Sequence, residues 1–235
     1  KLKMPEWYEN TILKRIWRHS PEDFNSQRFW DKMDLISEEH IHIIQEKIVE
    51  SMKSKFKINP EILLYDTTNF FTYIATNNGR NTIAQRGRSK AKRNDLRQVG
   101  LALMVSKDFQ IPLFHRVYKG NLADQGLFPK MADELISSYK EQFKKEEKAT
   151  LVYDKGNISE EAQEQLIIKE QPFICAVPKY TLPKLFETPI DQLQQITDIP
   201  GTKALSWEVQ IWNTRLKAIL TYTEGFFTSQ MFDLI

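Results

Sequence analysis

The sequence predicts an α/β fold in which a mixed sheet of five strands is covered by helices. Apolar runs typical of strands occur at five places between residues 58 and 180, and two segments between them have helical spacing. Their order is three strands, helix, strand, helix, strand. The first three strands are expected to form antiparallel hairpins, and each later strand–helix–strand unit requires a right-handed parallel crossover. A hairpin start followed by crossovers implies a mixed sheet.

The strand predictions depend on apolar runs bounded by polar residues. Residues 62–65 (ILLY) form a continuous apolar run that ends in Asp66, and this is typical of a strand buried on both faces. The second and third strands are expected at 98–106 and 111–118, with a turn at residues 107–108 between them. The fourth and fifth are expected at 151–153, which ends in Asp154, and at 173–177.

The two helices of the core are predicted from spacing and capping. Residues 124–143 place Leu127, Met131 and Leu135 four apart, which is the spacing of one helical face. Residues 159–169 begin with Ser159, a favourable N-cap residue, followed by two glutamates that suit the first turn of a helix. Both segments therefore predict helices that cross over between strands.

Two different regions flank this core and suggest three domains: residues 1–57, 58–180 and 181–235. The first reads as helical, with a helix expected from Ser37 to about residue 56. Its aromatic side chains are expected to form the core of a small helical subdomain: Trp7, Tyr8, Trp17, Phe24, Phe29 and Trp30. From residue 181 several prolines precede two alternating runs at 204–212 and 216–222, which predict the start of a β-rich insertion.

Composition narrows the class of protein. The 235 residues are 41% hydrophobic, which excludes a disordered chain. No run approaches the roughly 20 apolar residues of a membrane helix, so no membrane partner is expected. Cys175 is the single cysteine and lies in an apolar run, which predicts a buried, unreactive thiol in a reducing compartment. With 33 basic and 31 acidic residues, any affinity for nucleic acid must come from local clustering.

Two carboxylates occupy equivalent places in the predicted sheet. Asp66 and Asp154 each follow an apolar strand, where polar residues begin. Acids on neighbouring strands can share divalent ions, and hard oxygen ligands favour Mg²⁺ or Mn²⁺. Two such ions would suit in-line attack at a phosphate. The alternative is that each aspartate caps a turn or a helix start, and spacing alone leaves both interpretations open.

A basic segment lies between the first two strands. Residues 80–97 contain seven cationic side chains against one acid, Asp95. This density suits a loop that follows a phosphate backbone, although a solvated loop without a partner is the alternative. The candidate DNA-binding residues are Arg80, Arg86, Arg88, Lys90, Lys92, Arg93 and Arg97.

Four strings in this region together resemble a known family. They are YDTTNFF around Asp66, RGRSKAKRNDLRQVGLALMVS, GNLAD at residues 120–124, and VYDKGNIS around Asp154. In this order they resemble bacterial insertion-sequence transposases of the Asp-Asp-Glu type, in the insertion-sequence-four superfamily, which have a ribonuclease-H-like core. The resemblance covers about residues 35–180.

The resemblance implies a metal-dependent DNA transposase. Asp66 and Asp154 would be the first two of three carboxylates that hold two Mg²⁺ or Mn²⁺ ions, on neighbouring strands of a ribonuclease-H-like sheet. Asp124 matches a further family acid, for which we expect a helix-capping or supporting role. The expected partners are double-stranded DNA, both element ends and target, and a second copy in a homodimer. The expected location is the bacterial cytoplasm, in association with the nucleoid.

The third carboxylate of the family has no counterpart. In the family it is a glutamate on a helix after a β-rich insertion, whereas Glu208 and Glu224 lie in strand-like surroundings. We therefore expect this sequence to be a fragment, or the product of a decayed element, that is inactive by itself. Two alternatives to a transposase remain at this point: a DNA-binding fragment without catalysis, and another ribonuclease-H-like nuclease that cuts DNA without joining ends.

Overall fold

The computed structural model describes residues 3–58, 60–75, 78–88, 93–143 and 148–225, without the side chains of Asp124 and Gln125. Within the chain, two compact units separate: Lys1–Ile58 and Asn59–Ile235. Among the described residues no helix is long and apolar enough to cross a membrane.

The first unit is helical, as predicted, but its aromatic residues are less buried than expected. Tyr8 is fully buried and stacks on Phe24 with 4.2 Å between ring centroids, whereas Trp7, Trp17 and Trp30 are 48–52% exposed. Adjacent residues of a helix point about 100° apart, and in the first helix Trp7 points away from the direction in which Tyr8 is buried. The helices are α1 (Met4–Glu9), α2 (Leu13–Trp17), α3 (Ser26–Met33) and α4 (Glu38–Phe56).

The cap of α4 follows the prediction. The Ser37 side chain accepts a hydrogen bond from the backbone N–H of His40, which satisfies one of the unpaired donors at the helix start. The helix ends at Phe56, and the next residue, Lys57, has a left-handed backbone with φ 52°.

The second unit contains the predicted mixed sheet of five strands, in the order β3-β2-β1-β4-β5. The first three strands pair antiparallel, and β4 and β5 extend the sheet in parallel from β1. This is the strand order of a ribonuclease-H-like fold, so the predicted fold class is confirmed. The strands are β1 (Ile62–Thr72), β2 (Arg97–Ser106), β3 (Pro112–Lys119), β4 (Thr150–Tyr153) and β5 (Phe173–Cys175).

Helices α5 (Asp124–Phe143) and α6 (Glu160–Ile168) cover one face of this sheet. The Phe128 ring of α5 lies 5.0 Å from the Tyr65 ring of β1 and 4.5 Å from the Tyr153 ring of β4. The Tyr153 hydroxyl, on the same face, donates to Oε1 of Gln163 on α6 at 2.6 Å. Contacts among these aromatic rings therefore help to pack the two layers together.

The first strand differs from the prediction in length and burial. It continues beyond Asp66 to Thr72, because residues 66–72 pair with β2 along their whole length. Leu63 and Tyr65 are buried under α5, whereas Ile62 and Leu64 point to the opposite face and are half-buried. Burial on both faces was therefore wrong for this strand.

The predicted β-rich region also forms strands. A long hairpin of β7 (Thr202–Ile211) and β8 (Thr214–Thr223) carries the short strand β6 (Gln194–Gln195) at the edge of β7. Its two-residue turn, Trp212 and Asn213, has positive φ at both positions (48° and 56°). The Trp212 ring lies 6.5 Å from that of Phe173 on β5.

Candidate metal and nucleic-acid site

Asp66 and Asp154 occupy adjacent positions on neighbouring parallel strands. The register of β1 and β4 pairs Tyr65 with Tyr153, and each aspartate is the next residue along its strand. Parallel strands lie about 4.8 Å apart, so the two backbones are direct neighbours at this point. The strand pairing thus shows that the two aspartates are neighbours, which their spacing in the sequence could not show.

The two aspartates also share a face of the sheet. Side chains alternate along a strand, and Tyr65 and Tyr153 both face α5. Asp154 lies just beyond β4 but stays extended (φ −81°, ψ 160°), so the alternation continues through it. Both carboxylates therefore point to the face opposite α5 and α6, where both residues are exposed.

The structure argues against a capping role for either aspartate. Asp154 precedes a short 3-10 turn, Lys155–Asn157, but its side chain makes no capping hydrogen bond there. Asp66 lies inside β1, and its Oδ1 accepts a bond at 2.7 Å from the backbone N–H of the next residue, Thr67. Across the described parts of the chain, neither carboxylate has a cationic partner within ion-pair distance.

Two neighbouring carboxylates without a cation repel each other, and a divalent ion between them relieves that repulsion. Their oxygen atoms are the ligand type that Mg²⁺ and Mn²⁺ prefer, so the donors fit such an ion. No group of three potential ligands (His, Cys, Asp or Glu) occurs among the described residues. Glu208 forms an ion pair with Arg215 across the hairpin of β7 and β8, and Glu224 follows β8. Asp124 is the first residue of α5.

The basic segment connects β1 to β2. Arg80, Arg86, Arg88 and Arg93 are exposed, as a phosphate-binding surface requires. Arg97 is half-buried at the start of β2 and donates hydrogen bonds to the backbone carbonyls of Asn78 (3.0 Å) and Asn81 (3.4 Å). The two predicted lysines, Lys90 and Lys92, lie outside the described residues.

The single acid of this segment, Asp95, forms an ion pair with Arg93. The Arg93 guanidinium donates two hydrogen bonds to the Asp95 carboxylate, at 2.9 and 2.8 Å. These bonds are the main reason that the pKa of Asp95 is lowered to about 2, and the positive charge of Arg86 makes a smaller contribution to the same shift. Part of the charge of this loop is therefore neutralised internally, and Arg93 is the member most affected.

The loop leaves the sheet some distance from the two aspartates. Phe71 pairs with Gln98 at the loop end of the β1–β2 hairpin, five positions along β1 from Asp66. At about 3.3 Å per residue this separation is about 17 Å. Phosphates follow one another at about 3.4 Å of rise along each DNA strand, so the separation corresponds to about five base pairs of a duplex aligned with β1.

One polar residue at the root of this loop, Gln98, is not among the sequence-predicted site residues. In β2 the buried positions alternate through Gln98, Gly100, Ala102 and Met104, and Gln98 is 2% exposed. A glutamine in phase with the buried positions of a strand was the available signal, because a buried amide needs hydrogen-bond partners.

Cys175 lies on β5 and is half-buried. Burial raises the pKa of its thiol, with a smaller opposing effect from a hydrogen bond with Tyr153. A raised pKa disfavours the thiolate that a nucleophilic cysteine needs. The expected unreactive thiol is therefore consistent with its surroundings.

Comparison with known proteins gave matches only at the level of structure. No family model matches the chain, and no curated protein matches it. The catalytic domain of Mos1 mariner transposase has a TM-score of 0.34 and 9% identity, over 61% of this chain and 66% of that one. The Mos1 mariner paired-end complex with Mn has a TM-score of 0.37 and 11% identity, over 58% and 42% of the two chains. The piggyBac transposase synaptic complex with hairpin DNA has a TM-score of 0.35 and 10% identity, over 69% and 33%. The chain spans about two fifths of the Mos1 chains in the paired-end complexes.

Proposed function

We propose that this chain carries two of the three metal-binding carboxylates of a DNA transposase of the Asp-Asp-Glu type, encoded by a bacterial insertion sequence, and that the complete site cuts element ends and joins them to target DNA. The observation that carries the proposal is the parallel register of β1 and β4, which makes Asp66 and Asp154 neighbours on an exposed face. The fold class and the exposed arginines of the β1–β2 loop support it.

In this proposal Asp66 and Asp154 hold divalent metal, Mg²⁺ or Mn²⁺, with two ions in the complete site. When bound, the metal activates water and stabilises the charge that develops at the phosphate. The two carboxylates fix where that chemistry occurs, because both are attached to the rigid centre of the sheet. A third carboxylate would complete the ligand set, and the protein would then act as a homodimer on paired DNA ends in the bacterial cytoplasm.

The β1–β2 loop would hold the DNA. Each phosphate that an arginine neutralises releases bound counterions, so the affinity should decrease steeply as salt increases. Arg80, Arg86 and Arg88 are exposed and suited to such contacts, and Arg93 must share its charge with Asp95. Such contacts position a duplex without reading its sequence.

The test is a Mn²⁺ titration followed by NMR. Paramagnetic Mn²⁺ broadens the signals of nearby amides even when binding is weak, so a site with only two carboxylates remains detectable. In the parent protein the amides of Thr67 and Lys155, which follow the two aspartates, should broaden first. Asp66→Asn and Asp154→Asn should each abolish this selective broadening, because both carboxylates bind the same ion.

Asp108→Asn is the matched control, since Asp108 is a single exposed aspartate in the turn between β2 and β3. It should leave the broadening at Thr67 and Lys155 unchanged. Broadening that survives in both Asp66→Asn and Asp154→Asn would contradict the proposed metal site. In that case a DNA-binding protein without catalysis would be the better description.

A further inference from the structure

The root of the β1–β2 loop is attached to the sheet beyond the end of β3. Gln85 and Gln98 form an isolated antiparallel bridge through two backbone hydrogen bonds, with nitrogen-to-oxygen distances of 3.0 and 2.9 Å. The backbone N–H of Gly120, the residue after β3, donates to the carbonyl of Ile83 at 3.2 Å. β3 pairs with β2 only as far as Val99, and at the next residue of β2, Gln98, the pairing partner is Gln85 of the loop. The segment 83–88 therefore lies beside β2 where β3 has ended.

The Gln98 side chain joins the two segments that meet there. Its Nε2 donates to the carbonyl of Gly120 at 2.7 Å and to the carbonyl of Arg88 at 3.1 Å. One buried amide therefore bonds to the loop and to the end of β3 at the same time. The residue Arg88 is exposed, although its backbone carbonyl accepts this hydrogen bond from the buried Gln98 amide.

Two glycines allow this close approach. A Cβ on Gly87 would lie 2.2 Å from the carbonyl oxygen of Gly120, and a Cβ on Gly120 would lie 1.8 Å from the carbonyl oxygen of Gln98. Both distances are far below van der Waals contact, so no other residue fits without movement of the backbone. The two glycines bring the loop and the end of β3 within reach of the single Gln98 amide.

We propose that Gln98 is a positioning residue for DNA binding, which holds the main chain at Gly87 and Arg88 so that Arg86 and Arg88 are presented together. This inference rests on the proposed function, because it assigns the loop a DNA partner. Arginines on a fixed backbone lose less conformational entropy on binding phosphates than arginines on a mobile one. Gln98 itself does not contact DNA, since it is 2% exposed.

The test compares two glutamine substitutions that remove the same kind of hydrogen bond. Gln98→Met keeps the length of the side chain but cannot donate to the carbonyls of Gly120 and Arg88. Gln171→Met is the matched control, because Gln171 is also buried and its Nε2 donates to two carbonyls, those of Ala149 and Pro172, away from the loop. DNA affinity is measured for each folded variant with a short duplex at several salt concentrations.

Gln98→Met should weaken binding about tenfold near 0.1 M salt and reduce the salt dependence by about two phosphate contacts, those of Arg86 and Arg88. It should also speed amide exchange at residues 83–88. Gln171→Met should change neither quantity. If Gln98→Met does not fold, Gln98→Asn replaces it, since a side chain one methylene shorter cannot reach both carbonyls.

The double variant Arg86→Ala/Arg88→Ala separates the two ways in which the inference can fail. If it weakens binding while Gln98→Met leaves affinity and salt dependence at the parent level, Gln98 has no positioning role and the DNA-binding loop stands. If the double variant binds DNA as the parent does, the proposed role of the loop is wrong, and the inference about Gln98 is wrong with it.

Discussion

At the scale of single residues, the two aspartates of the candidate metal site differ from the acid of the β1–β2 loop in whether they have an arginine partner. Asp66 and Asp154 are neighbours without a cationic partner among the described residues, whereas Asp95 is bound by Arg93 through two hydrogen bonds. An acid that already has an arginine gains little from a metal ion. The residue environment therefore separates candidate metal ligands from the carboxylate that modulates the loop.

The pKa of Asp95 gives a direct test at this scale. Because the hydrogen bonds from Arg93 lower it from 3.8 to about 2, the carboxylate should stay ionised well below pH 3.8. The stabilisation from this pair is present above the unfolded-state pKa and is lost as the pH falls from 3.8 towards 2. The measurement is the carboxyl ¹³C chemical shift as a function of pH.

Arg93→Ala should move the Asp95 midpoint back up towards 3.8, because the main cause of the shift is then absent. An Asp95 midpoint near 3.8 in the parent protein would show that the ion pair does not persist in solution.

At the scale of elements, the end of β3 is important because it meets both β2 and the loop. The N–H of Gly120 donates to the carbonyl of Ile83, and the carbonyl of Gly120 accepts a hydrogen bond from the Gln98 side-chain amide. The backbone of Gly120 also lies directly against that of Gln98, where a Cβ would be 1.8 Å from the Gln98 carbonyl oxygen. The resemblance marked Gly120 as the start of the GNLAD string, and the structure adds a packing reason for a glycine there.

Two glycine substitutions should therefore have opposite effects on stability. Gly120→Ala forces a Cβ to within 1.8 Å of the Gln98 carbonyl oxygen. We expect this to lower the free energy of unfolding by about 1–3 kcal/mol, as overpacking typically does. Gly126→Ala should raise it by about 0.5–1 kcal/mol, because Gly126 lies within α5, a Cβ there meets nothing within 4 Å, and alanine favours helix.

Urea denaturation of the two variants and the parent measures both effects with the same probe. Because the free energy of unfolding should fall in Gly120→Ala and rise in Gly126→Ala, a difference in expression or purity that affects both variants alike cannot explain the result. Equal stability of Gly120→Ala and the parent would mean that the end of β3 is not held against Gln98.

At the scale of the whole molecule, the formal net charge of +2 is too small to attract DNA by itself. The position of the basic residues must therefore decide binding. Arg86→Ala/Arg88→Ala and Lys130→Ala/Lys140→Ala each remove two positive charges, the first pair from the β1–β2 loop and the second from exposed positions of α5. Since α5 covers the face opposite the two aspartates, only the loop pair should contact a duplex at the proposed site.

The loop pair should lower DNA affinity about tenfold or more and reduce the salt dependence by about two phosphates, and the helix pair should have little effect. Fluorescence anisotropy with a labelled duplex at several salt concentrations measures both. An equal loss in the two variants would indicate that overall charge, rather than the loop, attracts DNA.

Much of this molecule is determined by local pattern. The apolar runs and helical spacing predicted all five strands and both crossover helices of the core, because alternation, spacing and the Ser159 cap act over a few residues. The acids at the ends of two apolar runs were visible for the same reason. The end of β1 was missed, since its extension to Thr72 depends on pairing with β2 along its whole length.

The tertiary structure decided everything that depends on contact between distant segments. The register that makes Asp66 and Asp154 neighbours joins parts of the chain 88 residues apart, and it exists only because β4 pairs with β1. The attachment of the loop by Gln98 requires Gly87 and Gly120 to meet, which no local pattern specifies. Hydrogen bonds and steric limits act in space, so the sequence by itself supplied the groups, and folding decided which of them lie close enough to act together.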